Sequence, residues 1–172
     1  MLPFVEAVES ALVGESWLSA LSLSLTLPDI CGRLQSPQRR SQERYVAWWN
    51  VYIAPRYTSK IPGYPHVFVS GRDAYALRCA YLHQGQDDIA EQRAREALAR
   101  FNFRQPVPRG PGLHLIQVGD QMNLQVDRFC SDICAGVRRW MDDHGADERV
   151  FERQRGLLSI QIVGLGDSMH IR

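Results

Sequence analysis

Arg78 and His83 lie with four residues between them in Tyr75-Ala-Leu-Arg-Cys-Ala-Tyr-Leu-His-Gln-Gly85, and they supply a permanent cation and a group that titrates near neutrality. Those two types can cleave an RNA phosphodiester without a metal. The imidazole moves a proton, and the guanidinium stabilises charge building on the phosphate. Tyr75 and Gln84 are the nearest polar supports, and Cys79 follows the arginine. No cofactor is needed for that chemistry. The same residues have a plainer reading, in which Arg78 pairs with a carboxylate or a helix end and His83 satisfies a last helical turn, where a cation is favoured. A third reading overlaps both. Cys79 with His83, and Cys130 with Cys134, are each four apart and together could offer a Cys3His zinc set. It competes with catalysis, because a metal-bound His83 could not shuttle protons, and buried cysteines that act as small apolar residues would remove it.

The elements that must position these groups are mostly helical. Val5 to Leu27 reads as helix with a break at Gly14, and Leu27-Pro-Asp-Ile-Cys-Gly32 as a stop followed by a new short helical turn. Ser36 to Arg40 is a polar loop. Ser41 to Ala54 is an amphipathic helix with Ser41 as cap and Pro55 as terminator. Tyr45 and Trp49 belong to its core face, while Trp48 could stack on a base. Tyr57 to Val69 is a loop, and Ser70-Gly-Arg-Asp73 is a capping box that launches the Arg78/His83 helix. At 3.6 residues per turn, Arg78 and His83 point roughly 140° apart, so a second surface must complete any shared site. A two-fold dimer would provide one.

Beyond that helix, Asp87 to Phe101 is helix-forming in composition, although Leu98 to Phe103 could be extended. Arg93, Arg95, Arg100, Arg104 and Arg109 could follow a phosphate backbone, but the interleaved Glu91 and Glu96 suit an ordinary solvated face. Pro106 to Gly112 is a turn-rich linker. Residues 113–126 read as a β-hairpin around Val118-Gly-Asp-Gln121. Asp127 should cap a helix from Arg128 to about Asp143, with Phe129, Ile133, Val137 and Trp140 or Met141 inward. Asp142, Asp143 and His144 then sit exposed at its end. Asp147 to Leu158 is a last helix, and Ile160 to Val163 is a strand or a frayed tail.

A chain of 172 residues with 45% apolar content can bury one sizeable core, so residues 1–172 are expected to form a single, mainly α domain with a small antiparallel hairpin. The formal charge of +1 excludes a global electrostatic attraction to nucleic acid. Any RNA contact has to be local. Lys60 is the only lysine among the 20 basic residues, a skew that fits phosphate recognition or simply GC-rich coding. The absence of a leader pattern, of a bilayer-length apolar run and of a dense cysteine framework points to a cytoplasmic protein with reduced thiols and no membrane partner.

The stretch Tyr75 to Gly85 resembles the motif helix of HEPN domains, helical bundles whose signature is an arginine, four to six residues, and a histidine. An aromatic before the arginine and a glycine soon after the histidine is similar to the Apea-like branch. The whole chain also resembles a group of small uncharacterised bacterial proteins with a leucine-rich helix, Leu-Pro-Asp-Ile-Cys-Gly, this motif and a late Phe-Cys helix. The resemblance implies a HEPN-like bundle in which Arg78 and His83 are the catalytic pair of a metal-independent endoribonuclease formed across a homodimer. It further implies a role as a toxin, with an antitoxin partner, or in phage defence. The chain departs from the pattern at Cys79, where active members often carry asparagine, aspartate or histidine. Many HEPN relatives are non-catalytic, so the alternative it implies is a protein- or nucleotide-binding module.

Overall fold

The computed structural model describes residues 1–107 and 112–160, and its architecture is organised by one long helix. Helix α1 (Leu2–Val13) ends at Gly14, and α2 (Trp17–Gln35) follows after a three-residue link. Apolar side chains at Leu21, Leu25, Leu27, Cys31 and Leu34 are buried along α2. This helix packs against α1, against α3 (Ser41–Tyr52) and α4 (Gly71–Gln84), and against α5 (Val126–His144) and α6 (Glu148–Arg155). The break expected at Pro28 does not occur. Pro28 is buried inside α2, which runs on to Gln35. Burying Leu27, Cys31 and Leu34 on either side of it outweighs the lost hydrogen bond and the poor propensity of proline. Gly32 is therefore not a helix exit. A Cβ there would lie 3.0 Å from the Arg44 carbonyl oxygen, so its hydrogen lets α2 and α3 approach closely.

Helix α3 contributes an aromatic stripe. Tyr45, Trp48, Trp49 and Tyr52 are all buried, so Trp48 belongs to the core with its neighbours rather than to a base-stacking surface. Trp49 donates to the Val69 carbonyl at 3.2 Å and packs with Tyr57 and Phe129. Ser41 is not the cap of this helix. Arg40 holds that position, and Ser41 donates instead to Asp29 at 3.1 Å. A 3₁₀ turn, Ala54–Arg56, closes α3 at Pro55 as its proline requires.

The capping box at the start of α4 forms as the sequence indicates, with Ser70 Oγ accepting from the Asp73 N–H at 3.1 Å. Gly85 ends α4 in the left-handed region at φ 68°, with its N–H on Tyr81 O and that of Gln86 on Ala80 O. Asp73 does more than complete the box. Its carboxylate is 1% exposed and accepts from the N–H groups of Glu96 (2.7 Å), Ala97 (3.1 Å) and Leu98 (3.3 Å). Three successive backbone donors turned onto one carboxylate cannot also build a helical ladder. Residues 87–99 are accordingly turns and irregular chain, not the helix their composition favours.

Leu98 to Phe103 takes the extended alternative: β1 (Arg100–Arg104) pairs in parallel with β3 (Gln121–Gln125), which pairs antiparallel with β2 (Ile116–Val118). The expected hairpin is present and shorter, and β1 enlarges it to a three-stranded sheet with Phe101, Met122 and Leu124 buried. Helix α5 starts at Val126 with Gln125 as cap, so Asp127 lies in the first turn and caps nothing. Its inner face is Phe129, Ile133, Val137 and Trp140 as read from the spacing, with Cys130 and Cys134 beside them. Asp147 caps α6 through the N–H groups of Arg149 and Val150. Residues 108–111 of the linker, with Arg109, and residues 161–172, with most of the Ile160 to Val163 segment, lie outside the described residues. No helix among the described residues is long and apolar enough to cross a membrane.

Replacing Asp73 by alanine leaves three N–H groups without their acceptor, that of Leu98 buried and the other two partly so, and should lower unfolding free energy by about 2–3 kcal/mol in a denaturant titration. Ser70→Ala should cost about 1 kcal/mol. An equal, small effect of both would show that the carboxylate does not anchor residues 96–98.

Candidate functional site

Arg78 emerges from the middle of α4 and turns toward α2. Its Nη2 donates to Asp29 Oδ2 at 3.3 Å, and its guanidinium carbon sits 5.9 Å from the Tyr75 ring centroid. Asp29 also accepts from Arg44 Nε at 2.8 Å and from Ser41, so one carboxylate of α2 holds side chains from α3 and α4. The cluster is mostly enclosed, with side-chain exposures of 17% for Asp29, 14% for Arg44 and 19% for Arg78. Asp29 is therefore not the first-turn acid of a new short helix beginning at Pro28. It sits mid-helix and joins three helices.

Two polar atoms in this cluster are buried without a hydrogen-bond partner among the described residues: Arg78 Nε and the Tyr45 hydroxyl. Burial pushes the Tyr45 hydroxyl far above its ordinary pKa, with Asp29, Cys79 and Tyr75 adding to the rise and Arg78 opposing it. Tyr75 is raised too, chiefly by burial. Both phenols stay protonated at neutral pH, so neither is a base there. Each unmade hydrogen bond costs about 1–3 kcal/mol, which the surrounding packing must offset.

His83 lies elsewhere on the same helix. It is exposed near the C-terminus of α4, with no hydrogen-bond or ion-pair partner among the described residues. Arg78 and His83 are therefore not brought together within one chain. Between them runs a half-buried stripe of Tyr75, Cys79 and Leu82. Gln84 is exposed and lines a cleft of about 750 Å³ with Asp87, Asp88, Glu91 and Arg100. Arg100 is paired with Asp88 at 2.7 Å there. The basic stretch around it is not a cationic track: Arg95 donates to the Ala90 carbonyl, and Glu91 lines the same cleft.

The zinc alternative is not assembled. Among the described residues, no group of three or more His, Cys, Asp or Glu side chains is placed to hold a metal ion. Cys130 and Cys134 face inward on α5, Cys130 with its Sγ 3.4 Å from the Ser24 hydroxyl of α2, whereas Cys79 is half-buried on α4. Burial pushes the Cys130 thiol up to about 12 and Cys134 up to about 11, so both are protonated at neutral pH. Cys31 is buried and its thiol is raised further, again chiefly by burial. At the end of α5, Asp142 and Asp143 are exposed, and Asp143 accepts from the Tyr52 hydroxyl at 3.0 Å.

No family model matches the chain, and no curated protein or solved structure does.

A second polar knot, centred on His114 and Asp132, was not evident in the sequence. His114 precedes the hairpin, and its Nδ1 accepts from the Gln125 N–H at 3.2 Å where β3 meets α5. Its Nε2 lies 4.0 Å from Asp132, which also accepts from Arg56 (2.6 Å) and the Tyr57 hydroxyl (3.2 Å). These partners are distant in sequence, and no spacing rule connects them. Burial holds the imidazole below its ordinary 6.5, with Arg128 acting the same way and Asp132 and Asp127 against it.

Two predictions follow from these contacts. Asp29→Ala strands two largely enclosed guanidiniums and should cost about 2 kcal/mol, between the values for exposed and fully buried pairs. A double-mutant cycle with Arg78→Ala should give a coupling well above zero. For His114, the unfolded chain binds a proton at higher pH than the folded one, so stability falls as pH drops below about 6.5. Denaturant midpoints from pH 7.5 to about pH 5 should decline less steeply in His114→Gln. An identical slope in the variant would remove His114 as the source.

Proposed function

We propose that this chain is a HEPN-like helical module whose working surface is the half-buried stripe of α4, and that its primary role is to bind a partner protein or a nucleotide without turning it over. The observation that carries this is the Arg78–Asp29 ion pair. That contact turns the guanidinium off the open face of α4 and into the interface with α2, where 19% of its side chain is exposed, so it is not aimed at a phosphate lying on that face. On this reading Arg78 is a positioning residue that joins α4 to α2, and Cys79, in the place where active HEPN members often have a polar residue, agrees with a non-catalytic role.

The endoribonuclease reading stays in contention on one observation: His83 is solvent-exposed and unpartnered among the described residues, next to a half-open stripe that a second copy could cover. In a homodimer, His83 would be the general acid or base and the partner copy's arginine would hold the scissile phosphate. Tyr75 and Gln84 would support them. A toxin or phage-defence role, with or without an antitoxin, belongs to that branch.

Incubating purified protein with single-stranded RNA separates the two. The binding reading expects no His83-dependent cleavage, and a loss of stability in Arg78→Ala that His83→Ala lacks. Cleavage that disappears in each single variant, and partly returns when the two variants are mixed, would overturn it in favour of a composite dimer site.

A further inference from the structure

The C-terminal turn of α2, the loop into α3 and the first turn of α3 gather arginines away from the α4 stripe. Arg33 donates to the Pro37 carbonyl at 2.7 Å, Arg44 to the Arg39 carbonyl at 3.0 Å, and Arg153 of α6 to the Leu34 carbonyl at 2.6 Å. These bonds satisfy one carbonyl in the last turn of α2, that of Leu34, where a cation is favoured, and two in the loop that follows, those of Pro37 and Arg39. They do not use all the donors. Beside Arg44 lies a cavity of about 230 Å³ between α2 and α3.

The chemistry of its wall is one-sided. Gln35, Ser36, Arg39 and Arg44 line it, over a floor of Ala47 and Val51, and no carboxylate does. The Ser36 hydroxyl and the Arg39 guanidinium have no hydrogen-bond partner among the described residues, nor do Gln35 Nε2 and Arg44 Nη2. Arg44 is already oriented, because Asp29 and the Arg39 carbonyl fix two of its nitrogens. A fixed guanidinium with a free Nη2, a second, exposed guanidinium, a hydroxyl and an amide can together hold a tetrahedral oxyanion. The 750 Å³ cleft at the far end of α4 is the converse, with three carboxylates in its wall, and would repel the same ligand.

We propose that the cavity between α2 and α3 is a phosphate site, in which Arg39 and Arg44 grip the phosphate and Ser36 and Gln35 complete its hydrogen bonds. The phosphate comes either from a free phosphomonoester or from the chain of a nucleic acid. The site is separate from the α4 stripe, so it stands whether or not RNA is cleaved.

The test is calorimetric titration of the full chain with adenosine monophosphate, adenosine and a single-stranded oligoribonucleotide. Adenosine monophosphate should bind and adenosine should not. Arg39→Ala should weaken binding about tenfold or more, with an unchanged melting temperature, because Arg39 is exposed and its side chain anchors nothing. Competition by the oligoribonucleotide would assign the phosphate to a polymer, and its failure to compete would assign a free ester. His83→Ala should bind like the parent chain. If adenosine monophosphate does not bind, or binds equally well to Arg39→Ala, the proposal fails.

Discussion

One carboxylate sets the geometry of half this molecule. Asp29 is central to α2 and accepts from Ser41 and Arg44 of α3 and from Arg78 of α4. An ionised group with less than a fifth of its side chain exposed is tolerated only when its lone pairs are filled, and here three donors fill them. The crossing of α2, α3 and α4 is thereby pinned from within the polar part of the interface, while Leu27, Trp49 and Leu77 close the apolar part. Both regions with functional potential inherit their shape from that bridge. Arg78 is drawn off the open face of α4, and Arg44 is presented to the cavity beside α2.

The charge distribution is polarised although the net charge is nearly zero. Acidic groups crowd the cleft beyond His83, and arginines crowd the α2–α3 turn. The whole-chain value hides this because opposite patches cancel in the sum.

The sequence disclosed the elements whose cause is local. The Ser70 box and Gly85 announce the ends of α4, the spacing from Phe129 to Trp140 announces the inner face of α5, and Val118-Gly-Asp-Gln121 announces the hairpin turn. What it hid has causes far away in the chain. Pro28 continues a helix because its flanks are buried by other helices. The segment before β1 is irregular because a carboxylate more than twenty residues earlier captures its amides. In the candidate site, the spacing of Arg78 and His83 correctly implied divergent directions. It could not reveal that the arginine would meet Asp29, 49 positions away. Tertiary partners of that kind leave no periodicity to read.

The capture of residues 96–98 by Asp73 has a consequence for how this region moves. Irregular surface chain is ordinarily the first to open, to exchange its amide hydrogens and to admit a protease. Here the segment is clamped to the buried first turn of α4, and its opening would break three N–H bonds to one carboxylate at once. Exchange at Glu96, Ala97 and Leu98 should therefore follow the opening of α4 itself, making an apparently loose connection part of the same cooperative unit as the helix.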